Sequence, residues 1–214
     1  MKIAMFDLDN TILSQDSEVF WSTFLYTNKL VDDSYIAQIH AFYSQYEAGT
    51  LEINAYQQCF MAPLVQHGLE KILIMRELYL GEIKKFIRPM MSRLVRNHLA
   101  QGHVVLLVSA SSSFLVEPIA ALLEISQVIS TDVRIDSKLM TATIVGVPAF
   151  REGKVKRVQT WLAEQAFTVE ESWFYSDSIN DLPLLQTVTH PVVVTPDASL
   201  LFIAQQQGWK ILVT

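Results

Sequence analysis

Four short runs, Lys2–Phe6, His103–Val108, Ser172–Tyr175 and Pro191–Val194, are apolar nearly throughout and are separated by stretches of helical periodicity. A strand that is apolar on both faces has to be covered on both faces. That pattern belongs to a parallel sheet between helices, not to an antiparallel sheet with one wet face. The helical stripes are Leu94, Val95 and Leu99 before the second run, and Phe114, Leu115, Ile119, Leu122 and Leu123 after it. Val155, Val158 and Leu162 precede the third. Strand and helix alternating in this way predict an α/β fold with a doubly wound parallel sheet. Val133-Arg134-Ile135 and Leu139–Thr143, around Asp136-Ser137-Lys138, read as a small hairpin flap.

Residues 14–86 break the alternation. Stripes such as Ile36, Ile39, Tyr43, Tyr46 and Phe20, Trp21, Phe24, Leu25 predict about four helices, inserted directly after the first strand. The organisation expected is a core of residues 1–13 and 87–214 with a helical unit at 14–86. The insert carries 12 of the 22 aromatic residues and has 9 acids against 5 bases. Packing among helices accounts for most such rings, and an apolar pocket above the sheet is the sharper reading. The net charge of −6 and the lack of a basic stripe argue against a nucleic-acid partner. The longest aliphatic run, Val104 to Val108, is far short of the roughly 18 residues a membrane helix needs. One cysteine, Cys59, excludes an internal disulfide framework and is read as a small core residue of the insert. An intracellular, cytoplasmic home is the expectation. The five histidines are scattered, without metal-ligand spacing.

Asp7-Leu8-Asp9-Asn10-Thr11 follows directly on the first strand. At the carboxyl end of a parallel strand, side chains reach the ligand crevice. Residues i and i+2 of an extended segment face the same way, so Asp7 and Asp9 would crowd their carboxylates. Crowded like charges ask for a cation or for split pKa values. Mg²⁺ suits the site, since it takes a few carboxylates together with phosphate oxygens. Three alternatives stand beside this reading. The acids could be an innocent helix N-cap. A calcium loop would place Asp7, Asp9 and Glu18 at positions 1, 3 and 12, but Ile12 stands where glycine is needed. A receiver domain also uses an aspartate and a lysine, but its short fold does not accommodate a 73-residue insert.

With three more segments in order, the chain resembles the haloacid dehalogenase superfamily of phosphatases. Asp7-Leu8-Asp9-Asn10-Thr11 looks like its first motif. Ser109 matches the second, Lys154 in Gly153-Lys154-Val155-Lys156 the third, and Ser176-Asp177-Ser178-Ile179-Asn180-Asp181 the fourth. The insertion point is where the superfamily's C1 cap lies, and the details are similar to the phosphoserine-phosphatase-like subfamily IB. The resemblance spans essentially the whole chain and implies a Rossmann-like core with an all-helical cap.

It also implies roles. Asp7 is the nucleophile that forms an aspartyl-phosphate, and Asp9 is the acid and base two residues on. Mg²⁺ is bound by Asp7, the Asp9 backbone carbonyl and Asp177, with Asp181 holding a metal-bound water or orienting its neighbours. Lys154 supplies positive charge to the phosphate and to Asp7, with Lys156 its rival two residues away. Ser109 offers a hydroxyl and the Ala110 and Ser111 amides to a phosphate oxygen, and Asn180 a hydrogen bond.

The substrate implied is a small phosphate ester. Asp16 stands where phosphoserine phosphatases have a glutamate, Asn54–Cys59 lacks their arginine, and Ser109-Ala110-Ser111 replaces Ser-Gly-Gly. These departures disfavour phosphoserine. They favour an ester whose other end is neutral, cationic or apolar, such as histidinol phosphate or a lipid-like phosphate. A phosphotransferase, a catalytically silent phosphate sensor and an acidic protein-binding module remain as alternatives.

Overall fold

The computed structural model describes residues 1–136 and 141–214. Strand β1 (Lys2–Phe6) leads into the irregular turn Leu8–Ile12 and then four helices, α1 (Ser17–Thr27), α2 (Asp33–Glu47), α3 (Ile53–His67) and α4 (Leu69–Ile83). The chain continues through α5 (Pro89–Ala100), β2 (Val104–Ser112), α6 (Ser113–Leu122) and β3 (Gln127–Thr131). An antiparallel pair follows, β4 (Val133–Asp136) with β5 (Thr141–Ile144). The last elements are α7 (Glu152–Ala163), β6 (Glu171–Ser176), α8 (Leu182–Leu185), β7 (His190–Val194), α9 (Ala198–Gln207) and β8 (Lys210–Leu212). The two strands of the expected flap are present; its turn and Leu139 lie outside the described residues.

Six strands form one sheet in the order β3-β2-β1-β6-β7-β8, every pair parallel. Successive side chains of β1 serve opposite faces. Ala4 and Phe6 join one buried cluster, with Leu107, Tyr175 and Val192. Ile3 and Met5 join the other, with Leu106, Val108 and Phe174. Burial on both faces explains the continuous apolar runs, each large side chain contributing roughly 1.5–3 kcal/mol. The strand order reverses at β1 and β6, which places the crevice at their carboxyl ends.

The four helices of the insert pack mainly on one another through Trp21, Phe60 and Tyr79, all buried. Tyr79 Oη donates to the Ser17 carbonyl at 2.8 Å. Chain exit and re-entry are tied together by the bridge Leu13↔Ile87 and by the Arg88 N–H on the Ile12 carbonyl, 2.9 Å. Cys59 is half-buried rather than a core residue, because its sulfur faces exposed Gln38.

At the opposite end of the sheet the fold gathers histidines that the sequence scatters. His98 Nδ1 lies 2.8 Å from His103 Nδ1, and His98 Nε2 lies 2.9 Å from Tyr175 Oη. Trp173 stacks between His103 and His190. The short Nδ1 pair needs one donor and one acceptor, so both rings cannot be charged. Burial, then the His103 ring, holds His98 down at about 4 against its ordinary 6.5. A folded value below the unfolded one means that the unfolded chain takes up the proton first. Stability present above pH 6.5 is therefore lost as pH falls from about 6.5 towards 4. Across that window the thermal midpoint of the wild type should fall relative to that of His98→Gln, and the relative fall is the contribution of His98. An equal slope in the variant would remove that contribution.

Candidate active site

Asp7, Ser109 and Asp177 reach one place because their strands are neighbours. Asp7 follows the last residue of β1, Ser109 lies within β2, and Asp177 follows the last residue of β6. The backbone of Asn10 takes φ 54°, a left-handed turn that asparagine tolerates, and this folds Asp9 and Thr11 back over the strand ends. In β2 the pairing with β3 slips between Val108 and Ser112. This bulge re-aims Ser109, Ala110 and Ser111 towards the crevice, and it explains why the strand runs on to Ser112 rather than stopping at Val108.

Lys154 is the electrostatic centre. Its Nζ lies 2.7 Å from Asp7 Oδ1 and 2.7 and 2.8 Å from the two Asp181 oxygens, and all three residues are buried. The rival Lys156 is exposed. Gly153 makes this approach possible, since a side chain there would collide with the Pro148 carbonyl. Burial works against the Lys154 charge, but Asp181 and then Asp7 outweigh it and hold the ammonium above its ordinary value. Asp7 is pushed up to about 7 by burial, against the pull of Lys154, with Asp181 and Asp9 adding to the rise. Asp177 is raised by burial and then by Asp7. One buried ammonium does not balance this many carboxylates.

The remaining candidates divide by partner. Asp9 Oδ1 accepts the Ser17 N–H at 2.7 Å, and Oδ2 accepts the Ser111 and Ser109 hydroxyls at 2.7 and 3.3 Å. Thr11 Oγ1 donates to Asp177 Oδ1 at 2.9 Å, and Ser176 Oγ donates to Asp181 at 2.7 Å. Asp16 caps α1 through the Val19 N–H. Asn180 lies on another contact altogether. It accepts from Arg151 Nε at 3.0 Å and donates to the Tyr46 carbonyl at 3.2 Å.

Between insert and sheet lies a cavity with about 40 Å³ of free space. Asp7, Asp9, Ala110 and Ser111 form its floor. Its walls are Asp16, Glu18, Phe42, Tyr43, Tyr46, Tyr56 and Phe150 with a few aliphatic residues, and no Lys, Arg or His is among the described lining residues. Glu18 was not singled out from the sequence for this site. It is buried, accepts the Ser112 N–H at 2.8 Å, and is pushed up to about 7 by burial. Its position two residues after Asp16 is the one signal that could have drawn attention to it. Arg151 also escaped notice; its φ of 52° and ψ of −121° mark a strained backbone of about 1–3 kcal/mol.

Among the described residues no three His, Cys, Asp or Glu side chains form a ready metal cage. The donor set still fits Mg²⁺. That ion takes one or two carboxylates along with water and phosphate, and the excess of buried negative charge around Asp7 and Asp177 is what a divalent cation relieves.

The haloacid dehalogenase-like hydrolase family model matches residues 4–186. A histidinol-phosphatase of Neisseria meningitidis is 37% identical, over 98% of this chain and 97% of its own length. A phosphoserine phosphatase of Mycobacterium tuberculosis is 26% identical, over 97% of this chain and 69% of its own. A Bordetella pertussis protein of unknown function superposes with a TM-score of 0.90 at 34% identity, covering 99% of this chain and 97% of that one. A substrate-bound phosphoserine phosphatase, at 14% identity and a TM-score of 0.71 over 99% of this chain and 92% of that one, shares the fold. From the sheet, the strand-end acids and these matches together, the chain belongs to the haloacid dehalogenase-like hydrolase family and is a phosphatase.

Proposed function

We propose that the protein hydrolyses a small phosphomonoester bearing a cationic group, of the amino-alcohol phosphate kind, through an aspartyl-phosphate on Asp7. The observation that carries this reading is the buried Asp7–Lys154–Asp181 constellation opening onto a cavity walled by carboxylates and aromatic rings. Lys154 offsets the repulsion between the Asp7 carboxylate and the phosphate. Asp7 attacks phosphorus in line, the phosphorus–alkoxide bond breaks, and Asp9 protonates the leaving oxygen. Asp9 then takes a proton from the water that cleaves the acyl phosphate, returning Asp7. Asp181 holds Lys154 in place. Asp7, the Asp9 carbonyl and Asp177 would hold Mg²⁺, which when bound neutralises phosphate charge. Ser109, with the amides of Ala110 and Ser111, borders the phosphate end, and Asp16 the distal end.

Residues 14–86 act as the cap that closes this cavity, and the protein works in the cytoplasm on a small molecule rather than on nucleic acid. Acid and aromatic walls attract an ammonium or imidazolium and repel a carboxylate. The histidinol-phosphatase relative at 37% identity supports that choice.

The test is phosphate release from a panel matched in size, with histidinol phosphate, phosphoserine and an alkyl phosphate, in Mg²⁺ and in EDTA. The amine ester should exceed phosphoserine in kcat/KM by about tenfold or more, equivalent to about 1.4 kcal/mol, and EDTA should suppress both. Equal rates on phosphoserine would overturn the substrate reading, and a faster alkyl phosphate would favour a lipid-like substrate. Phosphoglycerol formed on adding glycerol would mark a phosphotransferase.

A further inference from the structure

The cavity above Asp7 lies between the insert and the sheet, with about 40 Å³ of free space. One set of contacts between the insert and the core gathers at a corner beside the cavity. Arg151 Nη2 donates to the Gly49 carbonyl, just past the end of α2, at 2.6 Å. The same guanidinium, through Nε, holds Asn180 Oδ1 at 3.0 Å, and Asn180 Nδ2 donates to the Tyr46 carbonyl at 3.2 Å. Tyr46 Oη donates to Ser178 Oγ at 3.3 Å. Beneath them, the Arg151 guanidinium lies 5.1 Å from the Phe150 ring, and Phe150 and Tyr46 both wall the cavity, their rings 5.9 Å apart.

Two backbone features show that this corner is built for the contact. Arg151 keeps a φ of 52° that a non-glycine residue holds only when its surroundings fix it. Gly49, at φ 70°, is the reciprocal half, because a Cβ there would overlap Arg151 Nη2. The corner also adjoins the chemistry. The Arg151 carbonyl accepts the Lys154 N–H at 3.0 Å, and Asn180 precedes Asp181, the partner of Lys154.

We infer that Arg151 is a positioning residue: its two-pronged grip on Gly49 and Asn180 couples seating of the insert to the alignment of Lys154 and Asp181 on Asp7. A fork that makes two directed bonds is not replaceable by a point charge. Loss of the grip leaves the phosphate site present but unassembled, and the step it slows is turnover rather than phosphate binding.

The experiment uses the full chain with p-nitrophenyl phosphate and Mg²⁺, inorganic phosphate as inhibitor, and amide exchange over residues 46–50. Arg151→Ala should lower kcat by about tenfold or more, leave phosphate inhibition unchanged, and speed exchange at 46–50 while the sheet amides stay protected. Arg151→Gly, which relieves the backbone, should behave the same. Gly49→Ala, which displaces the guanidinium from the other side, should lower kcat in the same way. The double variant Arg151→Ala with Gly49→Ala should be no worse than the worse single. Arg151→Lys should not rescue. Rescue by lysine together with weakened phosphate inhibition in Arg151→Ala would overturn the inference and make Arg151 a phosphate ligand. Faster exchange with unchanged kcat, or additive losses in the double variant, would overturn it as well. Exchange at 46–50 reads the grip without turnover, so its outcome stands apart from whether the substrate reading holds.

Discussion

Asp7→Asn is expected to abolish turnover and to leave the fold intact. An amide of the same shape cannot form the acyl phosphate, and nucleophile removal in hydrolases costs roughly 10⁴-fold or more in kcat. The fold should tolerate the change because Lys154 keeps its bond to Asp181, and because removing one of several crowded buried carboxylates relieves like-charge repulsion. Phosphate release from p-nitrophenyl phosphate, trapping of labelled phosphate on the wild-type chain, and a thermal scan of the variant make the check. Turnover within about tenfold of wild type would end Asp7's role as nucleophile.

Lys154→Met should fail in two measurable ways. Methionine approximates the length of lysine but brings no charge, so Asp7 and Asp181 would stay buried without their cation. Breaking a buried pair from one side costs about 3–5 kcal/mol, because the remaining charge has no compensation. Removing a preorganised positive group from a charge-developing site costs roughly 10²–10³-fold in kcat. Denaturant unfolding and phosphate release measure the two losses separately. Lys156→Met, at an exposed position, should change neither by much. A stable, active Lys154→Met chain would mean that the ammonium is dispensable to both fold and site.

The sequence made the interior of the sheet legible and its edges much less so. β1 lies where the apolar run predicts it, and β2, β6 and β7 differ by a few residues at their ends. β3 and β8 were missed, and the reason is physical. They are the outermost strands, β3 is partly polar, and β8 has three residues of which two are exposed. The insert was readable through periodicity, but which of its rings line a cavity was not. Trp21 and Tyr79 differ from Tyr46 and Tyr56 only in what the fold brings opposite them. Asp7 and Asp9 drew attention as paired acids at a strand end, and Lys154, Asp177 and Asp181 through the resemblance of their segments to the family's motifs. Glu18 and Arg151 have no such local mark. Glu18 meets Ser112 from 94 positions away, and Arg151 meets Gly49 from 102. Asn180 was read as a hydrogen-bond partner of the phosphate or substrate, and its side chain meets Arg151 and the Tyr46 carbonyl. A carboxamide has enough hydrogen-bonding capacity for either task, and only the tertiary structure shows the second.

The bridge at Leu13 and Ile87 bears on the order in which this chain can fold. Pairing of Ile3 with Val104 closes a loop of about a hundred residues before any strand contact is gained. Four helices that condense first bring 13 and 87 together and shorten that loop to little more than α5 and its connections. The first parallel pair then forms as in an ordinary strand–helix–strand unit, with the search time of a much shorter polypeptide. An insert that closed first would shorten the loop the first strand pair has to close, quite apart from what it does once the protein has folded.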